Sequence, residues 1–168
     1  LDLYTILYTM ILYPIIYILP SYVSNGAPVI FGGGMPIDGG RKLFGKRIFG
    51  NHKTVRGLVA GILSGIIVAL VESAFLPYML VIGIMLAIGT HIGDLLNSFI
   101  KRQAGLKPGS GVPILDQYLF FVFAMLLALP FGHLPNAIGI IFLVILTGLL
   151  HKLTNIGANK LGLKKVSW

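Results

Sequence analysis

The chain has 168 residues, of which 56% are hydrophobic and only 11% charged. A soluble domain carries about 25% charged residues, so this chain lacks the polar surface to keep such a body in water. Its net charge of +8 does not signal a nucleic-acid partner, because the basic residues lie between apolar segments and not along one stripe. With no cysteine, disulfides and thiolate metal sites are excluded as well.

Five apolar runs follow one another along the chain, each close to the roughly 20 residues that a membrane crossing needs. They are too long and too continuous for the alternating strands of a barrel. The expected fold class is therefore an all-α integral membrane protein with about five transmembrane helices, a single transmembrane catalytic domain over residues 1–168. The first run spans Leu3 to Tyr22 and carries Tyr4, Tyr8, Tyr13, Tyr17 and Tyr22. It opens on Asp2 where a leader peptide has a basic region, and it lacks a small-residue cleavage site, so it reads as a span. The tyrosines suit the two interfacial belts, or a face turned to a partner such as a second copy of the chain in a homodimer.

A long connection follows, about residues 23–54, and its core reads GAPVIFGGGMPIDGGRKLFGKRIFGNHKTVRG from Gly26 to Gly57. Its glycines, Gly32, Gly33 and Gly34 among them, let the backbone approach a ligand closely and present N–H groups to an anion. Arg41, Lys42, Lys46, Arg47, Lys53 and Arg56 would repel one another without a bound anion. As topology signals and contacts to anionic lipid they need no ligand. The glycine runs and the polar trio Asn51, His52 and Lys53 at a helix entrance favour a polyphosphate site. GGRK lacks the spacing of a Walker A loop.

The second run, Val55 to Ala74, places Gly57, Ala60, Gly61, Ser64 and Gly65 at spacings of three and four, which suits close helix approach. The third, Leu76 to Gly93, leads into HIGDLLNSFIKRQAGLKPGSGVPILDQ, His91 to Gln117, whose loop covers about 99–111. If the third helix continues past the membrane, His91, Asp94, Ser98, Lys101 and Arg102 fall near one face. Asp116 enters the fourth run, Val112 to Leu129, and the fifth runs from Asn136 to Lys152. Pro77, Pro113, Pro130 and Pro135 mark entries and exits.

All thirteen basic residues fall in the first and third connections, the start of the second run and the carboxyl-terminal segment. The positive-inside rule then places the amino terminus outside, the carboxyl terminus in the cytosol, and both long connections, as active-site loops, on the cytosolic side. Only three acids share that side: Asp38, Asp94 and Asp116. A carboxylate at the membrane boundary is expensive and marks function. Asp94 and Asp116 either pair simply with Lys101, Arg102 or Lys107, or hold a divalent cation, with Asp38 as a third ligand candidate. Magnesium fits this choice, needing only one or two protein carboxylates when substrate phosphates complete its shell. His52 and His91 read as hydrogen-bonding neighbours.

Gly93-Asp94-Leu95, Ser98, Lys101-Arg102, Lys107 and Asp116, with Gly50 to Gly57 upstream, resemble the signature blocks of the phosphatidate cytidylyltransferase (CDP-diacylglycerol synthase) family. Pro108 stands where that family has aspartate, its His-Gly-Gly run is absent, and Gln117 replaces an arginine. These departures and the short chain are most similar to the archaeal branch, the CDP-archaeol synthases. The resemblance implies a Mg2+-dependent transfer of CMP from CTP to an isoprenoid glycerol-phosphate lipid, with a cell-membrane location and phospholipid biosynthesis as its setting. It implies Asp94 and Asp116 as magnesium ligands, and Lys101, Arg102, Lys107, Lys53 and Arg56 as phosphate contacts. The cytosine pocket is expected on the backbone of Pro28 to Gly34. A small transporter of a phosphorylated solute is the alternative, but it needs polar residues at span centres. An alcohol phosphatidyltransferase needs a dense aspartate series on one helix, and none exists here.

Overall fold

The computed structural model describes residues 2–107 and 110–163. Among the described residues five helices are long and apolar enough to cross a membrane: α1 (Leu3–Phe31), α2 (Val55–Ser73), α3 (Met79–Gln103), α4 (Pro113–Ala128) and α5 (Ala137–Lys160). The second and fourth begin within one residue of expectation, the third begins at Met79 and not at Leu76, and three ends differ. The first helix runs on to Phe31, well past Tyr22, so the first connection starts at Gly32. Pro20 and Pro28 lie inside this helix, and a π turn interrupts it at Tyr8–Leu12. Pro28 has no N–H to give the Ser24 carbonyl. That oxygen lies where Gly61 of α2 comes so close that a Cβ on Gly61 would stand 2.9 Å from it. The small-residue stripe thus accommodates a helix that the prolines would otherwise weaken. Gly57, Gly61 and Gly65 are buried along it, while Ala60 and Ser64 are only half-buried.

The third helix continues to Gln103, nearly three turns beyond Gly93, and α5 extends about two turns past Lys152. Half of the apolar window of α3 is buried, against 17–28% for the other spans. It is the axis of the bundle, packed on α1, α2 and α4. Gly89 and Gly93 allow the α4 contact, since a Cβ on either would fall within 2.4–2.5 Å of a backbone carbonyl of α4. The core gathers Tyr17 and Ile18 of α1, Met79, Ile82 and Leu86 of α3, Phe120 and Phe121 of α4, and Leu143 of α5. Leu63, Ile67, Ile141, Ile145 and Leu149 are exposed on the perimeter, as lipid-facing positions are.

At the end opposite the charged connections, the Tyr78 ring stacks on His133 at 3.9 Å, and the Tyr13 hydroxyl donates to the His133 carbonyl. Glu72 lies at this end too, near the end of α2.

The all-helical expectation needs one addition. Within the first connection Lys42–Leu43 (β1) and Lys46–Arg47 (β2) pair as an antiparallel ribbon around a Phe44-Gly45 turn. Both turn residues have positive φ, 49° and 78°, the pairing of a two-residue hairpin.

Candidate active site

The first connection is built on Asp38. Its side chain is fully buried and accepts from Arg47 Nε (3.2 Å) and Nη2 (2.5 Å) and from the N–H groups of Gly40, Phe49 and Gly50 at 2.9–3.1 Å. The Arg47 guanidinium, followed by those N–H groups, holds the Asp38 carboxyl well below the usual carboxylate range. Arg47 also donates to Asn51 at 2.6 Å. Asp38, Arg47 and Asn51, all expected at the ligand, are therefore engaged with one another in shaping the loop. Sequence spacing alone does not reveal this, because Asp38 meets Arg47 and the N–H groups of Phe49 and Gly50 across a hairpin, 9–12 residues away.

The loop docks on α3. Ile37 N–H donates to the Lys53 carbonyl and Val55 N–H to that of Met35, while Thr54 caps α2 through Gly57 N–H. Lys46 Nζ reaches the Gln103 carbonyl at 2.6 Å, and Gln103 Nε2 returns to the Arg47 carbonyl. The Arg102 side chain passes beneath Gly50 and donates to the Lys107 carbonyl at 3.1 Å.

Two carboxylate–ammonium pairs lie under this cover. Lys53 Nζ stands 2.6 Å from each oxygen of Asp94, both side chains about one-quarter exposed. Lys101 Nζ stands 2.5 Å from Asp116 Oδ1, and both are 15% exposed. Asp116 Oδ1 also accepts from Asn97 Nδ2 at 2.7 Å, and Oδ2 from Val112 N–H at 2.7 Å. Asn97 is the residue that the sequence reading passed over. It lies one turn beyond Asp94 on α3, is 6% exposed, and its carbonyl oxygen is buried with no hydrogen-bond partner. Its place three residues after Asp94 and four before Lys101 was the available signal.

The other expected residues are placed as follows. Ser98 is buried on α3, and His91 bonds Ser24 at 3.0 Å against Gly61, deeper in the bundle. Arg56 and Lys107 are exposed beside the cluster, and Lys42 is exposed on the ribbon. Gly33 and Gly34 have φ of 101° and 79° and leave the end of α1 as an open turn. Pro28 to Phe31 do not join them: the backbone there is helical, and the Pro28 carbonyl is taken by Gly32 N–H. Pro108 and the tail residues Lys164 and Lys165 lie outside the described residues.

Among the described residues no three His, Cys, Asp or Glu side chains converge as a metal cage. The donor set is two carboxylates with the orphaned Asn97 oxygen nearby. Hard oxygen donors in that number suit magnesium that keeps most of its shell from water and phosphate. The residues fit such an ion.

A five-helix membrane bundle with its charged, loop-covered site at one end defines the class of intramembrane enzymes. The model of the CarS-like CDP-archaeol synthase family matches residues 7–168. The CDP-archaeol synthase of Methanococcus aeolicus is 42% identical, covering 91% of this chain and 94% of its own. That of Pyrococcus horikoshii is also 42% identical, over 90% and 94%. A solved structure of an intramembrane enzyme for archaeal membrane lipids biosynthesis superposes with a TM-score of 0.74 at 33% identity, covering 87% of this chain and 94% of that one. The chain belongs to the CDP-archaeol synthase family.

Proposed function

We propose that the chain transfers CMP from CTP to the phosphate of a membrane lipid, 2,3-bis-O-(geranylgeranyl)-sn-glycerol 1-phosphate, releasing diphosphate and leaving CDP-archaeol in the bilayer. One observation carries this reading: two carboxylate–lysine pairs at the membrane boundary of α3 and α4, closed over by a cationic, glycine-rich loop. An oxygen of the lipid phosphate attacks the α-phosphorus of CTP. The bond from that phosphorus to the bridging oxygen breaks, and the electron pair leaves with diphosphate. A phosphate monoester has its second pKa near 6, so the nucleophile is already anionic and no general base is needed.

The obstacle is repulsion between anions, and the chain's cations meet it. Lys53 and Lys101 rest on carboxylates, which holds both ammonium groups in place for phosphate oxygens. Arg102, Arg56 and Lys107 stand around them. Gly32 to Gly34 give the nucleotide an open backbone to lie against. Asp94 and Asp116, with the Asn97 oxygen beside them, would hold magnesium. When bound it would neutralise charge on the triphosphate and on the leaving diphosphate.

The thirteen basic residues support a cell-membrane enzyme with its charged end in the cytosol, where CTP is available. The test is direct. Purified protein given labelled CTP, magnesium and the lipid phosphate should yield labelled lipid and one diphosphate per turnover. Diphosphate or phosphate release that needs no lipid, or no turnover at all, would overturn the reading.

A further inference from the structure

The helices α4 and α5 touch closely at Gly148, where a Cβ would stand 2.6 Å from the Tyr118 hydroxyl and 3.8 Å from Gln117 Oε1. On the charged side of that crossing lies a cavity of about 670 Å3, lined by Asp116 and Gln117 of α4 and by His151, Lys152, Asn155 and Ile156 of α5. Small-molecule sites occupy about 300–1,000 Å3, so this one holds a polar headgroup with room to spare. None of the four α5 residues belongs to the cluster built on Lys53 and Lys101. Asn155 is only 6% exposed, with its amide 3.1 Å from His151 Nδ1, so the polar lining is an ordered surface. Asp116 is the common wall: the carboxylate that meets Lys101 and Asn97 also borders this cavity.

The cavity lies between two membrane-spanning segments, and Ser110 and Gly111 of the connection before α4 also line it. Around it the outer faces of the same helices are apolar and open, with Ile114 75%, Leu153 62% and Leu149 57% exposed. A nucleotide gains nothing from such surroundings, whereas an amphiphile with a charged head gains at both ends. Lys152 supplies a cation at the cavity, and Lys101 offsets the charge of Asp116 behind it. We infer that this α4–α5 cavity receives the phosphate monoester headgroup of the acceptor lipid, with Lys152 as its charge partner and the chains leaving between α4 and α5. This deepens the proposed transfer and rests on it: the acceptor arrives on one side of Asp116 and the nucleotide on the side of Lys53 and Asp94.

Two readouts separate the inference from the activity it builds on. A dialkylglycerol phosphate carrying a diazirine near its glycerol is photolysed with the full-length protein in detergent, and the labelled peptides are mapped. Label on residues 113–117 and 151–156, displaced by unlabelled lipid phosphate but not by the neutral dialkylglycerol, is expected. Label elsewhere, or label that the neutral lipid displaces equally, overturns the site whether or not CTP is turned over. In steady-state assays Lys152→Ala should raise KM for lipid phosphate about tenfold, the value of one charge-assisted contact, leave KM for CTP within twofold, and be rescued by Lys152→Arg. Lys152 is exposed, so the variant should fold as the parent does. An unchanged lipid KM, or equal rises in both KM values, also overturns it.

Discussion

Lys53 and Asp94 stand 41 residues apart in sequence, yet one ammonium group contacts both oxygens of the carboxylate at 2.6 Å. This pair ties the glycine-rich connection to the central helix. Removing Lys53 leaves a half-buried carboxylate unpaired and loosens the loop above it. Lys53→Ala should lower turnover about 10- to 150-fold, corresponding to about 1.4–3 kcal/mol for a lost charged contact. Alanine at Lys160, Lys164 and Lys165 together should stay within a few-fold in neutral detergent, where attraction to lipid headgroups is absent. Equal losses in the two variants, measured side by side, would reduce the loop cations to membrane contacts.

Asp94→Asn and Asp116→Asn each keep the side-chain shape and lose the charge. Each should cut turnover by more than about 100-fold, since charge stabilisation at a metal site is worth several kcal/mol. Chelation of the parent protein should reproduce the loss, and magnesium should restore it. Size-exclusion profiles should stay those of the parent. Magnesium-dependent activity persisting in either variant would remove that carboxylate from the metal site.

The placement of both carboxylates depends on Gly93. A Cβ there would meet the Leu119 carbonyl at 2.5 Å and the Phe120 Cα at 2.7 Å, both backbone atoms that cannot rotate away. Gly93→Ala should push α3 and α4 apart just where Asp94 and Asp116 leave them. A lowered Tm with activity falling in step is expected. Gly26→Ala is the control, since its Cβ would meet nothing within 4 Å. Full activity in Gly93→Ala would show that the helix spacing is not critical.

Asp38 gives the loop a pH limit. Its carboxyl is held low by Arg47 and three N–H groups, so the unfolded chain binds the proton more readily than the folded one. The stabilisation is complete above the ordinary aspartate value near 3.9 and is lost as pH falls from there toward the folded value. Asp38→Asn should destabilise the loop, because Arg47 loses the charge it is forked against. It should also abolish the acid sensitivity of loop protection in hydrogen exchange. An unaltered acid profile in this variant would assign the sensitivity to another group.

The chain has no cysteine, so single cysteines report topology without background. Cysteine at Phe44, 88% exposed on the ribbon turn, should react with an impermeant maleimide only after cells are opened. Cysteine at Phe75, 83% exposed at the other end, should react in intact cells. The reverse pattern would invert the orientation and move the site away from cytosolic CTP.

The sequence by itself determined the five crossings, the basic end and the end without cations, the family resemblance, and Asp94, Asp116, Lys53 and Lys101 as residues of interest. Hydropathy runs, charge placement and local motifs are properties of neighbours in sequence, and helices in lipid obey them closely. The length of α1 escaped that reading, because Pro20, Pro28 and Gly26 argue locally for an early stop. Only packing against Gly61 and Gly65 offsets them. The structure alone decided the partners. Asp38 and Asn51 went to Arg47, Lys53 to Asp94 and Lys101 to Asp116. Asn97 emerged beside the carboxylates, and His151 and Lys152 emerged around a cavity that Asp116 shares. Which of thirteen cations meets which of three acids depends on helix separation and loop docking. Those distances are set by glycine contacts between helices far apart in the chain, which composition and spacing do not encode.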